Sequence, residues 1–131
     1  MEPWYPSRRS ILPLIIFGIL ISHELSDRCL AQDGQAFEVA CAPCHGDRLQ
    51  GNLAGGERVG PPLIGQDFVS HWSDASIGDF YDYVRQNMPK DRPGELSEAT
   101  YIAATRFVLG QNHVAFEPAP DWKTAPFKVA W

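Results

Sequence analysis

Cysteine and methionine are both scarce in this chain, with three and two copies in 131 residues. Three cysteines do not supply the four paired ligands of a zinc ribbon. Basic charge is also short. Lys and Arg number 11 against 16 Asp and Glu, a net charge of −5, which argues against nucleic acid and anionic membrane surfaces as partners. The longest apolar run, 11–21, is too short to span a bilayer comfortably. The glycine-rich stretch 46–60 lacks the G-x-x-x-x-G-K-[ST] order of a phosphate loop. No Ser/His/Asp or paired-carboxylate arrangement suggests an enzyme nucleophile or acid–base pair.

The N-terminus has three parts. Arg8 and Arg9 precede the apolar run 11–21, and a polar stretch closes on Cys29-Leu30-Ala31. This is the order of a secretory signal, with cleavage expected after Ala31 and a retained membrane anchor as the alternative. The expected divisions are therefore a signal peptide at 1–31, a domain at 32–112 and an extended C-terminal tail at 113–131. Export implies a periplasmic protein. Cys29 leaves with the signal, so Cys41 and Cys44 are the remaining thiols. An oxidising compartment would join them unless other chemistry consumes them.

That chemistry is written in Cys41-Ala42-Pro43-Cys44-His45. The C-x-x-C-H order is the attachment signature of c-type haem. Two thiols on one helical turn can reach the vinyl groups on one haem edge, and His45 offers an imidazole nitrogen to the iron. The rival use of a C-x-x-C pair is thiol–disulfide exchange, which requires strand–helix alternation that this chain does not show before the motif.

A second ligand can come from Met88, the sole methionine left after export. A thioether is a soft ligand that favours ferrous haem. The alternatives are a core-filling role for Met88 and ligation by His71 or His113. A domain that left the sixth position open would be a five-coordinate, gas-binding haem protein.

The pattern predicts helices on either side of these residues. A first helix over 32–41 carries Gly34 and Phe37. Ser76 with Asp79 forms an approximate capping box ahead of Ile77, Phe80, Tyr81 and Val84, whose spacing is that of an amphipathic helix. Pro89 stops it, because the residue before proline is pushed out of helical space. Ser97 caps a last helix with Tyr101, Ala104, Phe107, Val108 and Leu109 on its apolar side, ending at Gly110. This helix is expected to cross the first near Gly34 and Phe37. Between them, 46–60 reads as a loop in which Arg58 pairs with a haem propionate or stays solvated. Residues 60–65, GPPLIG, stiffen the backbone so that a fixed carbonyl can accept the far N–H of His45, or else form a rigid surface turn. The aromatic residues of the tail pack back on the domain or form an apolar docking surface.

Together, CAPCHG at 41–46, GPPLIG at 60–65, Trp72, NMP at 87–89 and PGELSEATY with a helix ending in LGQN at 93–112 resemble a class I cytochrome c. More narrowly, they resemble the small cytochromes that accompany quinoprotein (PQQ-dependent) dehydrogenases and some sulfur-oxidising systems. The resemblance implies an all-α fold whose terminal helices cross beside one covalently bound haem c. It implies His45 and Met88 as axial ligands, Pro61 as the carbonyl partner of His45, and Trp72 against a propionate. The expected function is single-electron transfer by a carrier or dehydrogenase subunit rather than catalysis. The expected partners are redox proteins: a PQQ-dependent dehydrogenase as donor, and another cytochrome or an oxidase as acceptor. After Asn112 the sequence departs from the subgroup's glycine–proline pattern.

Overall fold

The computed structural model describes residues 31–116 and 120–129, with the side chain of Arg58 outside the description. The expected signal, apart from Ala31, and Trp131 also lie outside the described residues. Residues 31–40 are helical (α1). After a break at Cys41 a short helix, Ala42–His45 (α2), carries the motif. Asn52–Ala54 (β1) and Glu57–Gly60 (β2) follow, then Gln66–Trp72 (α3), Ile77–Asn87 (α4) and Glu98–Gln111 (α5). A 3₁₀ turn covers Trp122–Thr124. Among these residues no helix is long and apolar enough to cross a membrane.

The arrangement is mostly helical, in keeping with a cytochrome c fold. The stretch read as a loop at 46–60 instead contains a two-stranded antiparallel hairpin, with Ala54 opposite Glu57 and an irregular step between Asn52 and Leu53. Its strands are very short and the first is exposed, so no apolar alternation announces them in the sequence.

α4 begins as its residues dictate. The Ser76 hydroxyl accepts from the Asp79 N–H at 3.0 Å, and the Asp79 carboxylate accepts from the Ser76 N–H at 2.8 Å, closing the box. Donation to the carboxylate from the Ser76 hydroxyl at 2.6 Å, and then from the Ser76 N–H, holds the Asp79 carboxyl below its usual range. Ile77, Phe80 and Tyr81 are buried and Val84 is half-buried. At the other end Met88 is extended (φ −128°, ψ 149°), as the following proline requires. α5 is capped by Ser97, whose hydroxyl accepts from Thr100 N–H. It runs one residue past Gly110, with Asn112 as its cap.

The first and last helices meet through Phe37 and Phe107, whose rings lie 5.1 Å apart, beside Gly34. Next to them the buried Asp33 pairs with Arg106 at 3.3 Å. Burial raises the Asp33 carboxyl above its usual range, although the arginine pulls it back.

Of the two readings open for the aromatic residues of the C-terminal segment, packing back on the domain is the one observed. Ser76 bridges Pro126, and Val114 bridges Val129. Phe116 and Phe127 enter the core beside Phe68 and Phe80. The 3₁₀ turn crosses α4 at Gly78, where a β carbon would run into the Lys123 carbonyl.

Candidate functional site

The motif is one turn of helix. The Cys41 carbonyl accepts from the N–H groups of Cys44 at 3.1 Å and His45 at 3.0 Å, which spaces two thiols and an imidazole along a single turn. Pro43 falls in the first turn of α2, where its missing donor costs nothing. Cys41 is half-buried, Cys44 is exposed and His45 is buried. Burial, reinforced by the neighbouring Cys44, pushes the Cys41 thiol up to about 11.

His45 Nδ1 lies 2.8 Å from the Pro61 carbonyl oxygen. That oxygen can only accept, so Nδ1 carries the proton and Nε2 keeps its lone pair for a metal. The segment at 60–65 and the start of the hairpin are both tied to the region of the motif. Leu63 N–H donates to the Leu49 carbonyl at 2.8 Å, and Gly51 N–H to the His45 carbonyl at 2.7 Å. Asn52 Nδ2 donates to the Pro43 carbonyl at 2.9 Å. Gly60 lies against the motif so closely that a β carbon would strike the Cys44 carbonyl and come within 3.1 Å of His45 Nδ1. Asn112 completes the arrangement from the end of α5. Its Oδ1 accepts from Gly65 N–H at 3.1 Å, and its Nδ2 donates to the carbonyls of Leu63 at 2.8 Å and Val108 at 2.9 Å.

Met88 is held differently. Its N–H closes the last turn of α4 on the Val84 carbonyl at 2.8 Å. Its own carbonyl accepts from the Tyr101 hydroxyl at 2.8 Å, and that hydroxyl accepts in turn from Gly94 N–H at 2.9 Å.

These residues converge. Cys41, Cys44, His45, Pro61 and Met88 all line one cleft of about 790 Å³, a size proper to a cofactor site. Its walls are mainly apolar, with Phe68, Val84 and Val108 among them. Trp72 also lines it, half-buried and packed edge-on against Phe80 at 4.9 Å. His71 lies on the cleft but is exposed, whereas His113 is exposed beyond α5 at φ 57° and does not border it. Among the described residues no three His, Cys, Asp or Glu side chains gather as a protein-only metal site.

Three contributors escape a reading of the sequence alone. Asn112 looks like a helix cap, and only the fold reveals that it reaches Leu63 and Gly65. Tyr101 reads as an apolar face residue, yet its hydroxyl holds the Met88 loop. Thr105 is 1% exposed on the cleft-facing side of α5, and its hydroxyl has no partner among the described residues. A buried hydroxyl of that kind is expected to bond whatever fills the space.

A flat apolar group with metal at its centre fits this cradle: two thiols at one edge, an imidazole with its free nitrogen available, a thioether on the same cleft, and a glycine where any side chain would intrude. Such a site defines a c-type cytochrome domain. Residues 30–108 match the family model for cytochrome c oxidase, cbb3-type, subunit III, and the chain belongs to that family. Over 72 residues it is 38% identical to a thiosulfate dehydrogenase of Stutzerimonas stutzeri (strain A1501), covering 53% of this chain and 23% of that relative. The chain thus spans under a quarter of the relative's length. No solved structure matches the chain. The cofactor of the domain is covalently attached haem c, and its chemistry is haem-based electron transfer.

Proposed function

We propose that this chain is a periplasmic monohaem cytochrome that passes single electrons, with Cys41 and Cys44 bound to the haem edge and His45 and Met88 as its axial ligands. The observation that carries the reading is the shared cleft. His45, with Nδ1 committed to Pro61, and Met88, with its carbonyl committed to Tyr101, border the same apolar space. Haem c, when bound, supplies an iron centre that exchanges one electron with little change in its surroundings. The chain does the rest. Pro61 fixes the imidazole's tautomer and raises its basicity. Phe68, Val84 and Val108 exclude water and favour the less charged, reduced state. With both axial positions filled by protein, no site remains for a substrate, which supports a carrier or electron-transfer subunit.

The donor is a dehydrogenase and the acceptor another cytochrome or an oxidase. The class I subgroup pattern points to a PQQ-dependent dehydrogenase as donor. The name of the Stutzerimonas relative supports a sulfur-oxidising donor instead. In either case the partner's contact patch is basic or apolar, given an excess of 13 acidic over 8 basic residues in 32–131.

The test is spectroscopic. Protein matured in a haem-attaching host should give the pyridine haemochrome of a two-thioether haem, one per chain. The oxidised form should show the far-red sulfur-to-iron charge-transfer band. Loss of that band in Met88→Ala, with haem retained, is the expected result. Wild-type protein that carries haem but lacks the band would overturn Met88 as ligand and restore the readings with His71 or an open sixth position.

A further inference from the structure

We propose that Thr105 donates a hydrogen bond to the sulfur of Met88 in the haem-loaded protein and thereby raises its reduction potential. The inference rests on Met88 being the axial ligand, as argued above. Its starting point is a hydroxyl that is out of place. Thr105 is 1% exposed, its Oγ1 has no partner among the described residues, and it borders the cleft between Ala104 and Val108, which are both apolar. A threonine inside a helix can return its hydroxyl to the carbonyl four residues back, but no such bond is present for Thr105. Valine has nearly the same shape and no polar atom to leave stranded, so packing alone does not account for the hydroxyl.

The acceptor follows from position. Thr105 stands four residues after Tyr101, so the two share a face of α5. From that face the Tyr101 hydroxyl already grips the Met88 carbonyl. The thioether sulfur of Met88 is a weak acceptor, and among the described residues Thr105 does not bond it before the haem is in place. A donor there draws electron density from the sulfur. That weakens its donation to the metal, disfavours the more positive oxidised state and raises the potential.

The experiment compares haem-loaded wild type, Thr105→Val and Thr105→Ser by redox titration, far-red absorption and thermal unfolding. Thr105→Val should lower the potential by a threefold to tenfold change in the oxidised-to-reduced ratio at fixed poise, a tenfold change being about 59 mV for one electron. Its sulfur-to-iron band should shift. Thr105→Ser should stay within about twofold of wild type, because the donor is retained. A valine variant with changed thermal stability but an unmoved potential and band would show a purely structural threonine and overturn the proposal. So would a potential change that leaves the band in place, since the acceptor would then be a propionate. Absence of the band in wild type would instead strike at Met88 ligation itself.

Discussion

The Tyr101 hydroxyl donates to the Met88 carbonyl at 2.8 Å while accepting from Gly94 N–H at 2.9 Å. One buried phenol therefore closes the loop between α4 and α5 and sets where the sulfur-bearing residue stands. Tyr101→Phe keeps the ring and deletes both bonds. It should cost about 1–3 kcal/mol in denaturant unfolding of the haem-loaded protein and weaken the far-red band. An unaltered band would separate the loop's anchoring from ligation by Met88.

Gly60 lies at the end of the hairpin, close against the motif. Gly60→Ala places a methyl against the Cys44 carbonyl and near His45 Nδ1. Overpacking of this kind costs about 1–3 kcal/mol. The expected outcome is a lower haem-to-protein ratio after maturation, read by pyridine haemochrome against total protein. Full loading at wild-type stability would show that the hairpin can retreat without consequence.

Asn112 ties α5 to the segment that presents Pro61. Asn112→Ala strands the Gly65 N–H and the carbonyls of Leu63 and Val108. The amide of Gly65 should then exchange with solvent markedly faster, and stability should fall by roughly 1–3 kcal/mol. Unchanged exchange at Gly65 would mean the segment is held by its prolines alone.

Two carboxylates give opposite pH signatures. Asp79 is held low by the Ser76 hydroxyl and backbone. Its contribution is present above the ordinary carboxylate value of about 3.9 and is lost as pH falls through the lower folded value. The stability gap between wild type and Asp79→Ala should therefore close in acid. Asp33 is raised by burial. Its contribution is present below the unfolded value and is lost as pH rises through the higher folded value, so Asp33→Asn should gain on wild type as pH rises. Unfolding curves over pH 2–7 would reveal both slopes.

Phe127 tests the C-terminal segment. It is 2% exposed and packs edge-on against Phe80, with ring centres 5.9 Å apart. Phe127→Ala should destabilise the domain by about 3–5 kcal/mol. A loss under 1 kcal/mol would return the segment to the role of an outer docking strip.

Much of this was legible in the residues because short-range rules govern it. The C-x-x-C-H turn, the Ser76–Asp79 box and the halt of α4 at Met88 depend on neighbours within four or five positions. Each stands in the structure where the spacing put it. The hairpin within 46–60 was not legible, since strands of three or four residues are too short to show a burial pattern. The tail left two readings open, because the ring partners of Phe127, Phe68 and Phe80, lie some forty to sixty positions away in sequence. Asn112 and Tyr101 escaped for the same reason: a side chain's distant hydrogen-bond partner is decided by topology. The roles of His45, Met88 and Pro61 towards the iron rest on the proposal and its spectra.

The two walls of the cleft are secured unequally. On the imidazole side the hairpin, the proline segment and Asn112 lash the backbone at several points, whereas the opposite wall hangs chiefly on one phenol. Breathing of the folded protein should accordingly be lopsided. An intruder such as cyanide or free imidazole, competing for the metal, would slip in beside residue 88 and leave the other face shut.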